Sequence, residues 1–207
     1  MAHKSSFDEM HERILQGALE VFSEKGFSAA TIKDISTRVG CNSITIFRHF
    51  EDKQTLFIHV VERFHKLEFD EEQLHSKLSY TNIHADLNII ANYFFKVLFQ
   101  HINILRIYIN DGPYFERIAK YIWYLPEPFK DFVVEYIDTV YPDVISPVDA
   151  ALIAEMLIAF ITRTCLRVNV HEGIEAYSKK IADDAKIVMA TSVNMILNII
   201  MKHVKSA

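Results

Sequence analysis

Between Gly40 and Phe50 the chain reads Cys41, Asn42, Ser43, Ile44, Thr45, Ile46, Phe47, Arg48, His49. On a helix of this register Ile46 and Phe50 turn inward with Cys41, leaving Ser43, Ile44, Thr45, Arg48 and His49 outward. Two hydroxyls, a guanidinium and an apolar side chain on one short face suit nucleobase edges. Hydroxyls and guanidinium meet donors and acceptors in the major groove, and an apolar group meets the thymine methyl. Arg48 suits a phosphate as well as a guanine, and Ile44 is equally readable as a tolerated exposed apolar residue.

Such a face is useful only if other elements brace it. A first helix is predicted from Phe7 to Lys25, with Ile14, Ala18 and Phe22 recurring every four residues and Leu15 and Val21 widening the stripe. Gly26 supplies a left-handed stop. Thr31 with Asp34 forms a capping box in which Asp replaces the usual Glu or Gln, and Ile32, Ile35 and Val39 face one side of a short helix ending at Gly40. Asn42 caps a third helix through Phe50, and Asp52 caps a fourth that buries Leu56, Phe57, Val60, Val61 and Phe64. Two short helices joined by a tight glycine turn meet the requirement of a helix-turn-helix, with Ile35, Val39, Cys41, Ile46 and Phe50 as its buried wedge.

The stretch Phe22 to Phe57 resembles the head of the TetR family of bacterial repressors. The likeness rests on Phe22, Gly26, Phe27, Ala30, Thr31, Ile32, Asp34, Ile35, Gly40, Thr45, Phe50, Lys53, Leu56 and Phe57 at fixed spacing, and covers roughly the first third of the chain. It implies that Thr31, His49 and Lys53 touch phosphates, helped by the free N–H groups opening the second and fourth helices, while Ser43, Ile44, Thr45 and Arg48 face bases or adjoining backbone. Phe47 stands where the family commonly has a tyrosine that donates to a phosphate, so that contact is weakened.

Behind the head, Glu68 to Thr81 has no sustained apolar stripe and reads as a connection. Helices are predicted near Ala85 to Gln100, Asn103 to Asn110, Tyr114 to Tyr124, Pro128 to Tyr141, Pro147 to Asn169 and Ile174 to His203, with proline-containing breaks fixing most ends. Five Gly and five Pro in 207 residues point to an all-α fold. The expected division is a DNA-binding head over residues 1–66 and a helical regulatory and dimerisation domain over 67–207.

Aromatic residues concentrate between Tyr93 and Tyr141, and the resemblance implies an effector pocket there. Its nominated lining is Tyr93, Phe94, Phe99, Tyr108, Trp123, Phe132 and Phe160, with Arg163 and Arg167 one helical turn apart as partners for an anionic group; aromatic core and snorkelling arginines are the plainer alternatives. The resemblance also implies a four-helix dimer interface from Ala154, Leu157, Ile158 and Ile161 on one helix and Ile187, Ala190, Thr191, Asn194, Leu197 and Met201 on the next. The same faces also suit packing within one chain.

Net charge is -5, and the 22 basic and 27 acidic residues divide unevenly: residues 1–66 hold nine of each, so the body carries the deficit. A protein that coats nucleic acid indiscriminately is thereby excluded, whereas a local binding face is not. The two cysteines, Cys41 and Cys165, lack metal-ligand spacing, and the expected setting is a reduced cytoplasm, with no membrane span. Ten histidines lie scattered, with no His-Glu-x-x-His, nucleophile elbow, phosphate loop or cysteine cluster, so neither catalysis, metal nor cofactor is expected. The reading is a dimeric, operator-binding repressor released by a small, largely apolar or amphipathic effector. The alternatives are a helical ligand carrier or adaptor without DNA binding, and a helical enzyme acting on an apolar substrate.

Overall fold

The computed structural model describes residues 6–66, 69–112, 127–169 and 174–206. Among them all regular structure is helical: α1 (Ser6–Ala29), α2 (Ile32–Val39), α3 (Ser43–His49), α4 (Lys53–Phe64), α5 (Glu71–His75), α6 (Ile83–Gln100), α7 (Ile102–Asp111), α8 (Glu127–Val140), α9 (Pro147–Asn169) and α10 (Ile174–Ser206). Trp123 and the helix expected from Tyr114 to Tyr124 lie outside the described residues. Among the described residues no helix is long and apolar enough to cross a membrane.

The chain forms two compact units. The first contains the described residues up to 66 together with 101–112, so α7, expected in the body, belongs with the head. There α1 packs against α2, α4 and α7. Ile14, Ala18, Phe22, Ile35, Ile46, Leu56, Phe57, Val60 and Val61 are fully buried, the residues that the helical periodicity placed inward. Phe22 meets Phe57 edge to face with ring centroids 5.0 Å apart. Gly26 interrupts α1 with φ 73° and ψ 164°, a conformation that side chains disfavour and glycine adopts freely. The expected helix stop is therefore a kink, after which one more turn runs to Ala29.

In the second unit α9 packs against α6, α8 and α10, and α10 also lies on α6. The connection expected from Glu68 to Thr81 contains a helical turn, α5, because Asp70 caps it through Gln73 N (2.8 Å) and Leu74 is fully buried. The amino end of α6 is organised by one buried carboxylate. Asp86, 1% exposed, accepts from Ser79 N (2.9 Å), Tyr80 N (2.8 Å), Ser79 Oγ (3.2 Å) and the Tyr136 hydroxyl (2.9 Å). Four donors satisfy a charge that would otherwise be costly to bury. They also hold Tyr80 at φ 57°, and burial with the adjoining Asp86 raises the Tyr136 phenol.

Candidate nucleic-acid interface

The helix-turn-helix is assembled by short local bonds. Thr31 Oγ1 accepts from Asp34 N (3.1 Å), while Asp34 Oδ2 accepts from Thr31 N (3.0 Å), which completes the capping box. Gly40 ends α2 in the left-handed region, and the N–H groups of Gly40 and Cys41 both reach Ser36 O at 3.0 Å. Asn42 Oδ1 then caps α3 by accepting from Ile44 N (3.0 Å), and Ser43 Oγ donates to Ser36 Oγ (3.2 Å) across the turn.

α1 braces this pair. Arg13 donates to the Val39 carbonyl (2.9 Å), and Arg38 forks between Glu20 and Glu24, each at 2.8 Å. The helices approach closely where Gly17 faces Val39: a Cβ on Gly17 would lie 2.5 Å from Val39 Cγ2.

On this frame α3 presents Ile44, 66% exposed, Phe47, 51% exposed, and the exposed Arg48, with Ser43 and Thr45 half-buried. Phe47 thus points outward as an apolar contact where a hydroxyl was missed. The expected phosphate anchors already have partners. Thr31 directs its hydroxyl hydrogen at Asp34 Oδ2 (2.7 Å). Lys53 donates to the carbonyls of Phe27 (2.8 Å) and Ala30 (3.0 Å), with its ammonium 4.3 Å from the centre of the Phe27 ring. An ammonium has three N–H groups, so one remains for a phosphate. His49 stacks on Phe7 at 4.0 Å.

Three other cations of the head are internally paired: Lys25 with Asp34 (2.8 Å), Arg38 with two glutamates, Arg63 with Glu12 (3.1 Å). Lys33, exposed on α2, and Arg48 form no ion pair among the described residues. Lys33 escaped sequence reasoning; its place between inward Ile32 and Ile35 was the available signal.

Asp111 was missed as well. The carboxylate at the end of α7 accepts from Phe27 N just after the Gly26 kink, and nothing in its local sequence announces that role.

The sequence profile described as "Bacterial regulatory proteins, tetR family" matches residues 14–60, the segment carrying this geometry. The head of this chain thus matches that family. Among the relatives of this chain is the uncharacterised HTH-type transcriptional regulator YvkB of Bacillus subtilis, 25% identical over 131 residues, 62% of this chain and 66% of the relative. The HTH-type transcriptional repressor NicS of Pseudomonas putida is 40% identical over 55 residues, 27% of this chain and 26% of the repressor. The matched stretch thus spans less than two-thirds of either relative. A putative TetR-family transcriptional regulator from Mesorhizobium loti has the same fold, with TM-score 0.61 at 16% identity over 95% of this chain and 98% of that one. A putative transcriptional regulator from Saccharomonospora viridis, solved in complex with choline, gives TM-score 0.62 at 16% identity over 92% and 96%.

Behind the TetR-family head, the nominated effector residues are dispersed. Phe94 and Phe132 are core, Phe94 stacked on Phe129 at 3.7 Å. Tyr108 is buried in the first unit. Phe99 is exposed, Phe160 half-buried and Arg163 exposed; the side chain of Arg167 lies outside the described set. Of the nominated residues, Tyr93 borders a groove of the second unit, about 590 Å³ in volume, with Phe69, Asp70, Gln73, Lys77, Lys96, Val97 and Gln100. Its wall is more polar than expected.

The proposed dimer faces are corrected on one helix. Ala154, Leu157, Ile158 and Ile161 are buried within the unit because α9 packs on three neighbours, and among the described residues Val148 and Leu152 are the exposed large apolar side chains of α9. On α10, Ile187, Ala190, Thr191, Asn194 and Met201 are exposed and Leu197 half-buried; Asn194 Oδ1 lies 3.2 Å from His84 Nε2.

Proposed function

We propose that this chain is a DNA-binding transcriptional repressor acting as a homodimer. Each head places α3 in the major groove of a roughly palindromic operator, and a small-molecule effector held by the regulatory unit releases the pair. The observation that carries the reading is the outer face of α3, where Ile44, Phe47 and the unpaired Arg48 stand exposed on a helix locked to α2 and α1. Ser43, Ile44, Thr45 and Arg48 inform, Phe47 adds apolar contact, and Thr31, His49, Lys53 and Lys33 anchor. Repression is favoured because relatives are described as a repressor and as a negative regulator of a biofilm operon. Choline in a structural neighbour supports a small-molecule effector, and the Tyr93 groove, where Lys77 and Lys96 would suit a polar or anionic group beside the aromatic ring, is where this chain would hold one. The exposed apolar residues of α9 and α10 suit a twofold interface.

Selection of bound fragments from random-sequence DNA, followed by mobility shifts at several salt concentrations, tests the proposal. A retained palindromic motif with salt-sensitive affinity is expected. Lys53→Ala should weaken all sequences alike, whereas Arg48→Ala should also relax preference at one position of each half-site. A folded chain that enriches no sequence would overturn the reading.

A further inference from the structure

The carboxyl end of α3 carries a histidine in an unusual setting. The His49 ring lies against Phe7 of α1, centroids 4.0 Å apart and planes inclined by 21°. Its second neighbour is His11, one turn further along α1, at 5.6 Å. His11 itself stacks on Phe50 at 4.6 Å, and His59 of α4 meets the same Phe50 ring edge-on at 5.6 Å. His49 Nδ1 is buried without a hydrogen-bond partner, whereas Nε2, which has no hydrogen-bond partner among the described residues, is not buried in that way. Water therefore reaches one nitrogen only.

This geometry favours the neutral tautomer with its proton on Nε2. Charging the ring would create an N–H at Nδ1 that neither water nor an acceptor meets, and a buried unsatisfied donor is costly. Electrostatics acts in the same direction. Burial lowers the His49 pKa below 6.5, and His11 and Arg48 lower it further. The carboxylates on these segments are Asp8, Glu9 and Glu12 of α1 and Glu51 after α3; Glu12 is paired with Arg63, and none contributes to the shift.

We infer that Phe7 and His11 are positioning residues that keep His49 neutral in the free head with Nε2–H aimed outward, and that contact with a DNA phosphate draws a proton onto the ring. The inference rests on the DNA-binding reading above. A phosphate at Nε2 favours the cationic ring by direct attraction, opposing the burial and the neighbouring His11 and Arg48 that resist it in the free protein. The added proton comes from solvent, and the charged ring carries an N–H at both Nδ1 and Nε2. Reciprocity then requires that protons promote DNA binding, because a ligand that raises a group's proton affinity must itself bind more tightly as protons become available.

The sign follows from the direction of the two shifts. In free protein the ring titrates below 6.5, and in the complex it titrates higher, so affinity rises as the pH falls between these values and is level outside them. Each unit separating them corresponds to roughly tenfold in affinity per head.

The test measures affinity for the selected operator by fluorescence anisotropy from pH 5.5 to 8 at constant ionic strength, in full-length wild type, His49→Gln and Phe7→Ala. Wild type should gain roughly tenfold per head towards acid. His49→Gln retains an amide donor but cannot take up the proton, so its affinity should stay level from pH 5.5 to 8, whatever its absolute value. Phe7, 53% exposed, can be removed without emptying a core, and its loss lets water reach Nδ1, so Phe7→Ala should bind well and show a flatter profile. Histidine-selective NMR provides the direct readout: the His49 ring should titrate below 6.5 in free protein and higher in the complex. A pH profile that survives intact in His49→Gln, or a His49 titration unmoved by DNA, would overturn the inference while leaving DNA binding in place. Absence of specific binding at every pH would instead remove the reading beneath it.

Discussion

The carboxylate of Asp111 receives the backbone N–H of Phe27 on both oxygens, at 3.0 and 3.1 Å. The bond closes the kink at Gly26, where the chain leaves helical geometry and its N–H groups lose their usual acceptors. Asp111 Oδ1 would lie only 3.6 Å from a Cβ on Gly26, so α7 abuts the kink itself.

Asp111→Ala should therefore destabilise the head. Asp111 is 6% exposed, and its loss strands the Phe27 N–H, at a cost of about 1–3 kcal/mol. Chemical denaturation followed by helical circular dichroism measures this, and faster exchange of the Phe27 amide locates it. Asp111→Asn keeps an acceptor and should cost less at neutral pH. Burial raises the Asp111 pKa above 3.8, with Phe27 N–H and Lys53 opposing. Its ionisation is therefore disfavoured by folding: the pH-linked part of its contribution is full below 3.8 and lost as the pH rises through the folded value, while the bond to Phe27 N–H persists.

Asp34 titrates with the opposite sign. Lys25 and the Thr31 hydroxyl lower its pKa from 3.8 to about 2, so its contribution is complete above 3.8 and lost as the pH falls towards about 2. Urea midpoints recorded from pH 5 to 2 should decline more steeply in wild type than in Asp34→Asn. Parallel curves would show that the capping carboxylate is not linked to folding.

Gly17→Ala should cost about 1–3 kcal/mol, because its methyl carbon would lie 2.5 Å from Val39 Cγ2, where no side chain fits without displacement. Val39→Ala in the same background should restore part of the loss despite truncating a core residue. The non-additivity of this double-mutant cycle, read from denaturation midpoints, is the measurement.

The two thiols should separate cleanly in reactivity. Cys165 is fully buried, and burial pushes its pKa up to about 12; Cys41 is half-buried, with a smaller rise from the same cause. An aromatic disulfide reagent should label Cys41 slowly in the native chain and Cys165 only after unfolding. Native labelling that persists in Cys41→Ser would contradict this burial.

The head was legible because its signals are local. Thr31 with Asp34, Asn42 and Asp52 each announce a cap by residue type and spacing, and all three bond as those spacings require. Inward Ile46 and outward Ile44 follow from helical periodicity alone. The roles that escaped depend on distant partners. Lys53 reads as a phosphate ligand until folding brings the Phe27 and Ala30 carbonyls to its ammonium, 26 and 23 positions away. Asp111 reads as an ordinary acidic helix end, since its partner lies 84 positions upstream.

In the second unit periodicity marked the apolar stripes but not which neighbour each would meet. Leu157 and Ile161 fit a partner chain and an internal neighbour equally well by pattern, and packing on α6, α8 and α10 gives them to the interior. Asp86 was invisible for another reason: a buried carboxylate at a helix start needs the Tyr136 hydroxyl, 50 positions later, to account for it.

Internal pairing of the head's cations bears on the solvent around the operator. Lys25, Arg38 and Arg63 already face carboxylates, so few positive charges remain to displace the ion atmosphere of the duplex. With Lys33, Arg48 and the remaining N–H of Lys53 as donors, each head would release about three counterions, at roughly 0.9 per phosphate neutralised. A correspondingly shallow dependence of affinity on salt leaves the dry contacts of Ile44 and Phe47 to carry more of the selectivity, with a heat-capacity decrease on binding as their calorimetric mark.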